Sequence, residues 1–499
     1  MKIRNLNINN KTLLILIIAF GIALRLAFDI GVISSGDLGH ITYSYKASTG
    51  NFRLSAEDTQ TASRIAFIYP VAFFYRIFGV NEFSAYAYSL ILSIGSIILI
   101  YLLGKLFFGE KVGLISAFLL SFYPLNVNYS TRAYPDLAQA FFMGLAVYLF
   151  FLGEKKIKIS QQITLYFLAG IVVGLAALTK ESGIIILLFF TVFILYKLIF
   201  KKERIRGAYA LMLVGVASVL VLQIALSYLT SGDPFLRYKQ IDNFYYGAIK
   251  NLYNYQGYKL IERLLIHMPY LMLTDVNFGF FTVFFIMALA YVITFKKRGA
   301  YPIAIWFVSL FLYLNFGSTS LTGYVPLPGG TPRYLEVLTF PGILALSFFL
   351  SEKGLPIRRF ILPFSIIFLF VTSIGLMYIN PDRDKQNINK EIAEFLKTQK
   401  DLVIYADSGT ADLLSFYTQY NKDVRAFWKA NYPRTGSFEL VKPEDMKNAY
   451  VVVNKDYFNR IPKNYNVSLP KIYYEVPKNW VLLNRIENKN GDELVYYAP

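Results

Sequence analysis

The chain reads as a polytopic α-helical membrane protein with a small C-terminal extracytoplasmic α/β domain. Three observations predict this fold class. Only 16% of the 499 residues are charged and 55% are hydrophobic, whereas a soluble domain carries about a quarter charged residues. Nearly uncharged apolar segments of roughly 18 to 22 residues, long enough to cross a bilayer as helices, recur up to about residue 380. Lys and Arg then gather in every second loop, as the positive-inside rule requires of a cytoplasmic face.

The expected spans are 12–33, 82–104, 112–126, 137–152, 162–179, 182–200, 207–229, 277–295, 302–316, 335–350 and 360–379, about eleven in all. Residues 64–79 are a further candidate for a membrane-embedded helix. The basic loops hold Lys105 and Lys111; Lys155, Lys156 and Lys158; Lys201, Lys202, Arg204 and Arg206; Lys296, Lys297 and Arg298; and Lys353, Arg358 and Arg359. Lys2, Arg4 and Lys11 place the N-terminus on the same, cytoplasmic side. No small-residue cleavage site follows the first apolar run, which reads as an uncleaved helix. An odd number of spans puts the tail outside, on a multi-pass protein of the cytoplasmic membrane. The outer face then carries the longer segments 34–81, 230–276 and 317–334, and residues 381–499 form a separate domain after a transmembrane unit of 1–380.

The tail changes composition. Residues 387–399 read as a helix, 402–405 as a buried strand, and the stretch after Asp407-Ser408-Gly409 as a second helix through Leu413 and Phe416. Residues 449–453, 480–483 and 494–497 read as further strands, and the alternation predicts a mostly parallel core. Asp407 and Asp412 are assigned to turn and N-cap roles rather than to a metal. Asn128-Tyr129-Ser130 and Asn466-Val467-Ser468 match the short N-glycosylation pattern.

A net charge of +18 would suggest nucleic acid in a soluble protein; here membrane orientation explains it, and no nucleic-acid partner is expected. With no Cys there is no disulfide or thiol chemistry, and two His, His40 and His267, exclude a multi-histidine metal site. Aromatic residues at 17% suit interfacial belts and substrate-lined cavities.

Polar residues concentrate on the expected outer side at four places. Asp37, with His40 and Tyr43 nearby, follows the first span. Arg132 and Asp136 lie in the loop before the fourth. Lys180 and Glu181 make the tight turn between the fifth and sixth, and Arg333 and Tyr334 open the tenth. Each has a plainer explanation: a solvated loop acid or helix N-cap at Asp37, an i,i+4 pair of Arg132 with Asp136, an interfacial Lys180–Glu181 pair, and a headgroup anchor at Arg333. Together they suit a reaction with an anionic leaving group. A departing phosphate needs Arg or Lys donors, and an acceptor hydroxyl needs a carboxylate base. A polyprenyl-phosphate sugar has these features: an apolar tail for the lipid, a phosphate at the interface and a sugar in the external cavity. A divalent metal shared by Asp37 and Asp136 with His40 is the less favoured reading, since so few ligands make a poor site.

The segments Gly36–Tyr43, Phe67–Gly79 and Leu102–Gly109, followed by Ser121–Pro124, Arg132–Asp136, Ala177–Gly183 and Pro332–Tyr334, resemble those of GT-C membrane glycosyltransferases. The closest pattern is that of the protein O-mannosyltransferase and lipid A aminoarabinose transferase group, over residues 12–380. The resemblance implies Asp37 as catalytic base, Asp136 as the acid opening the fourth span, and Lys180 and Arg333 as contacts to donor phosphate. Arg132 and Arg64 are further phosphate candidates, and His40, Tyr43, Glu181 and Tyr334 candidate substrate contacts. The chain departs from the group where Leu38, not a second acid, follows Asp37, and where Ile68-Tyr69-Pro70 replaces a basic residue and double proline.

The expected function is inverting transfer of a sugar from a polyprenyl (dolichyl or undecaprenyl) phosphate to an acceptor hydroxyl on a protein, lipid or glycan, without a cofactor. A transporter or flippase of a lipid-linked sugar is the rival; it explains the spans and basic sites without a base. Tyr238, Phe244, Tyr245 and Tyr246 are candidate packing surfaces for sugar or prenyl chain. The Gly- and Pro-rich 317–334 segment is expected to act as a lid.

Overall fold

The computed structural model describes residues 9–32, 35–55, 58–244, 258–318, 324–327, 331–352, 358–382, 387–430, 437–455, 470–487 and 491–499. Every one of the eleven expected spans contains a helix. They are α1 (Asn10–Ala27), α4 (Glu82–Phe108), α5 (Glu110–Ser121) with α6 (Pro124–Ser130), α7 (Pro135–Glu154), α8 (Ile159–Thr179), α9 (Ile186–Phe200), α10 (Ala210–Ser231), α12 (Phe281–Thr294), α13 (Tyr301–Phe316), α14 (Thr339–Ser351) and α15 (Arg358–Tyr378). Further helices lie between them among the described residues, including α2 (Ser35–Ser48), α3 (Ile65–Phe78), α11 (Leu236–Asp242) and a helical stretch whose parts are Tyr258–Glu262, Arg263–His267 and Met268–Thr274. Among the described residues, seven helical segments are long and apolar enough to cross a membrane alone, and α5 with α6 passes as a pair bent by 58°. The bend falls at Pro124, which lacks the N–H needed to continue the helix.

Two local features differ from the expected spans and shape the site. The first helix ends at Ala27 rather than near residue 33. Gly31, at φ +65°, takes a left-handed conformation open to glycine, and Asp29 accepts from its N–H at 2.9 Å. The chain can therefore turn, and Asp37 stands in the first turn of a new helix, α2. The 64–79 candidate is helical as α3, which packs against α2 and α4.

Polar residues tie the helices at both ends. At one, Glu154 of α7 accepts from the hydroxyls of Tyr166 and Tyr209, each at 2.7 Å, and pairs with Lys197 at 2.5 Å. Within the bundle, buried Arg25 of α1 donates to Ser93 at 2.6 Å and to Asn126 at 2.6 Å, and Asn126 donates to Glu336 at 2.6 Å. Such a network compensates the charges taken out of water.

The tail folds as expected, with corrections. Helices α16 (Asn387–Thr398) and α17 (Ser408–Tyr417) flank a six-stranded sheet of β1 (Ile404–Asp407), β2 (Val424–Ala430), β3 (Ser437–Glu439), β4 (Ala449–Asn454), β5 (Val481–Ile486) and β6 (Glu493–Ala498), in the order β3-β2-β1-β4-β6-β5. β1 runs parallel to β2 and β4, but β3, β5 and β6 pair antiparallel, so the sheet is mixed. The sequence reading had no strand at β2 or β3. Asp407 caps α17 by accepting from the Thr410 N–H at 3.0 Å, the role assigned to it.

This domain rests on the helix that carries Asp37. The Tyr420 ring stacks on Tyr45 of α2 with centroids 3.9 Å apart, and its hydroxyl lies 3.3 Å from Thr42. Lys390 pairs with Glu82 at 2.9 Å. Apolar residues of α2 and α3 (Leu38, Ile41, Phe67) and of the domain (Ile392, Leu414, Phe416) share one core.

Candidate active site

Every site residue predicted from the sequence except Tyr43 enters one array of ion pairs and ring contacts. Asp37, with no exposed surface, receives Nε and Nη2 of Arg132 on Oδ2, both at 2.9 Å. Arg132 thus pairs with α2 and not with Asp136 one helical turn away. Asp136 instead binds Lys180 at 2.5 Å, and Nε of Arg333 stands 3.6 Å from its other oxygen. Glu181 does not pair with Lys180; it takes Nε and Nη2 of Arg64 at 3.3 and 2.8 Å. Arg64 Nη1 lies 3.3 Å from His40 Nε2.

Tyr134 sits between the two carboxylates. Its ring carries the Arg132 guanidinium at 4.9 Å and the Arg333 guanidinium at 3.8 Å from the centroid, and the His40 ring meets it edge-on. Lys180 Nζ lies 3.9 Å over the Tyr334 ring. Both cations are attracted by the quadrupole of the Tyr134 ring.

Local structure explains each placement. Tyr134 is the N-cap of α7, Pro135 supplies its first position, and Asp136 follows in the first turn, where the helix dipole favours an acid. Lys180 is the extended C-cap of α8, a place that favours a cation. The chain then turns back in a single 3₁₀ element, Glu181–Ile185. Only glycine fits at position 183, because a Cβ there would stand 2.3 Å from the Ala176 backbone. Arg333 lies on another 3₁₀ element, Pro332–Leu338, which continues into α14.

Burial pulls the Arg132 guanidinium down, but Asp37, Tyr134, Tyr129 and Asp382 more than offset this, holding it above its ordinary value. The Asp37 carboxyl therefore faces a guanidinium that stays charged. Among the described residues no three His, Asp or Glu side chains gather as a metal cluster. Asp37 and Asp136 each meet a cation of their own.

Tyr43 stands apart: its hydroxyl donates to Asp58 at 3.1 Å and its ring packs on Phe52. Tyr245, Tyr246, Asn466 and parts of the 317–334 segment lie outside the described residues. Asn128 is buried and donates to Asn277 at 2.8 Å, so it is not presented to a glycan-transferring enzyme. The sequence reading missed Asp382, 3.4 Å from Arg132, and the bridging part of Tyr134. It also missed Gln139, which donates to Ser182 at 2.9 Å. Tyr134 was legible in the Arg132-Ala133-Tyr134-Pro135-Asp136 run; Asp382, just past the last span, had no such signal.

An apolar cavity starts at Lys180 and Tyr334. It is walled by Ile185, Met268, Leu310 and Val337, from four different elements of the bundle. Gln139, Ser182 and Tyr313 also line it, and its volume of about 40 Å³ admits a small polar group beside Lys180.

This architecture is that of a multi-pass membrane protein with the GT-C glycosyltransferase fold. Residues 65–224 match the family model described as dolichyl-phosphate-mannose-protein mannosyltransferase. ArnT from Cupriavidus metallidurans, solved bound to undecaprenyl phosphate, is similar with a TM-score of 0.61 over 97% of both chains at 14% identity. The Archaeoglobus fulgidus oligosaccharyltransferase, solved with a tethered acceptor peptide, is similar with a TM-score of 0.56 at 12% identity, covering 90% of this chain and 69% of that one. A curated relative, an uncharacterised protein of Aquifex aeolicus (strain VF5), is 26% identical over 261 residues, or 50% of this chain. The chain spans about half the length of that relative, 47%.

Proposed function

We propose that the protein transfers a sugar from a polyprenyl phosphate to an acceptor hydroxyl, with inversion at the anomeric carbon, at the outer surface of the cytoplasmic membrane. The observation that carries this reading is the pairing of two buried acids with separate cations around Tyr134, next to an apolar cavity that begins at Lys180. Lys180 and Arg333 receive the phosphate beside that cavity; its roughly 40 Å³ is too small for the prenyl chain, which runs outward into the bilayer. Arg132 and Arg64 complete the positive surroundings, and Tyr334 and Glu181 fix the Lys180 and Arg64 side chains. The acceptor oxygen bonds to the anomeric carbon as the bond from that carbon to the phosphate oxygen breaks. The bonding pair leaves on the phosphate, where fixed cations stabilise the growing charge. The acceptor proton passes to Asp37. Asp136 holds Lys180 and Arg333 in place between turnovers, and His40 orients Arg64. The relatives solved with undecaprenyl phosphate and with an acceptor peptide support a lipid-linked donor and a separate acceptor in general.

The test is to incubate the purified protein with a panel of polyprenyl-phosphate sugars and measure released carrier phosphate. Release that depends on both sugar and acceptor supports the reading. A flippase would move the lipid between leaflets without releasing its sugar, and that result would overturn it.

A further inference from the structure

A second cavity, of about 80 Å³, lies between the start of α3, the last turns of α10 and α11. At its polar side stands Arg237, only 4% exposed. Its Nη2 donates to the Ala177 carbonyl, and its Nη1 has no hydrogen-bond partner. Across the cavity Gln223, 4% exposed and reached from α10, donates from Nε2 to Ser227 at 2.8 Å while its Oε1 is also unpartnered. A buried charged donor and a buried acceptor left unmet are both costly, so the pair asks for a ligand that accepts from one and donates to the other.

The surroundings specify its charge. Burial pulls the Arg237 guanidinium below its ordinary value, Glu181 opposes this, and Arg64 adds to it. Glu181 is engaged on both oxygens by Arg64. Two guanidiniums thus act around one carboxylate, which favours an added anion. The rim specifies the rest. Leu54, Tyr69 and Leu226 line the cavity, and Tyr69 and Leu226 are 53% and 43% exposed. Leu222 and Leu229, on the same helix as Leu226, are 60% and 78% exposed, so this mouth opens onto a lipid-facing apolar surface.

We propose that this cavity binds the head of an anionic, hydroxyl-bearing membrane amphiphile of the glycerophospholipid kind. The phosphate accepts from Arg237 Nη1, a head-group hydroxyl donates to Gln223 Oε1, and the chains leave between Tyr69 and Leu226. The site is distinct from the Lys180 cavity and stands independently of the transfer reaction.

Binding to the delipidated, purified protein in detergent tests it, with dioleoyl phosphatidylglycerol, dioleoyl phosphatidylcholine and glycerol 1-phosphate as probes. The unaltered protein should bind phosphatidylglycerol about tenfold or more tightly than phosphatidylcholine, because both offer the phosphate but only phosphatidylglycerol brings a hydroxyl to Gln223 and no choline cation towards Arg237. Arg237→Gln should weaken both lipids by about tenfold or more, since both lose the phosphate contact, and Gln223→Leu should abolish the preference. Leu226→Trp, on the lipid-facing surface, narrows the mouth without touching the charge and should weaken phosphatidylglycerol by about tenfold as well; it carries the test if Arg237→Gln does not fold. Lys180→Gln should leave the preference intact. An Arg237→Gln protein that binds phosphatidylglycerol as tightly as the unaltered one, a Gln223→Leu protein that keeps the preference, or a Lys180→Gln protein that loses it, overturns the proposal. So does glycerol 1-phosphate binding as tightly as the lipid, which would mark a free-anion site.

Discussion

Replacing Asp37 by Asn removes the proposed base and half of a buried ion pair in one step. Asp37 has no exposed surface and Arg132 is 4% exposed. Removing one partner of such a pair costs about 3–5 kcal/mol when the other charge is stranded. Here it is not stranded: Asp382 stands 3.4 Å from Arg132, the Tyr134 ring lies 4.9 Å away, and the Asn oxygen still accepts a hydrogen bond. A cation over an aromatic face is worth about 0.5–2 kcal/mol, so the net loss of stability should be about 2 kcal/mol. A protein of ordinary stability, about 5–15 kcal/mol, stays folded through that loss. Turnover should fall much further, by about 10²–10⁴-fold for a lost general base, or roughly 3–5 kcal/mol of barrier. Single-turnover release of carrier phosphate from a radiolabelled donor measures the chemistry, and donor affinity is measured separately. The lysine and arginine assigned to the phosphate pair with Asp136 rather than Asp37, so affinity should change less than threefold, under about 0.7 kcal/mol. Turnover within tenfold of the unaltered protein would refute Asp37 as base. A fall in affinity matching the fall in turnover would make it a binding residue instead.

Three other outcomes are expected. Lys180→Gln should weaken binding of undecaprenyl phosphate by about 10–100-fold, the value of one or two charge-assisted contacts, in an equilibrium binding assay. Tyr420→Ala removes the stack on Tyr45 and should lower stability by about 1–2 kcal/mol. Backbone hydrogen exchange in α2 should rise at the same time, because that helix loses its cover. Burial pushes the Asp407 carboxyl up to about 6 from 3.8. Its folded form therefore holds the proton more tightly than the unfolded chain: the stability this contributes is full below about pH 4 and is lost as pH rises through about 6. Asp407→Asn keeps the cap on Thr410 and removes the ionisation. It should stabilise the sheet by about 2–3 kcal/mol at pH 8 and by little at pH 4, read from the exchange protection of β1 and β4.

Much of the fold was legible because a bilayer imposes simple rules. Long apolar runs must be helical, since every backbone group has to be satisfied within its own segment. Boundaries were less legible where a single residue decides them. The first helix stops early at a glycine turn, and the fifth bends at Pro124. In the tail, β2 went unread because Arg425 and Lys429 interrupt its apolar pattern, and strand direction is set by pairing partners far away in sequence. Within the site, the residue types were readable but their partners were not. Proximity in sequence suggested Arg132 with Asp136 and Lys180 with Glu181; the folded chain makes neither pair.

The sequence alone determined that the chain crosses a membrane many times, that it ends in an α/β domain, and that Asp37, Arg132, Asp136, Lys180 and Arg333 are the residues to watch. Composition and hydropathy carry that information, because they report the cost of putting each side chain into lipid. Only the tertiary structure decided which charge neutralises which, that Tyr134 separates the two pairs, and that Arg237 faces a cavity of its own. Those outcomes depend on bringing helix ends 44, 95 and 117 residues apart to within hydrogen-bond reach. Local sequence has no means of encoding such a distance except through the packing of the whole bundle.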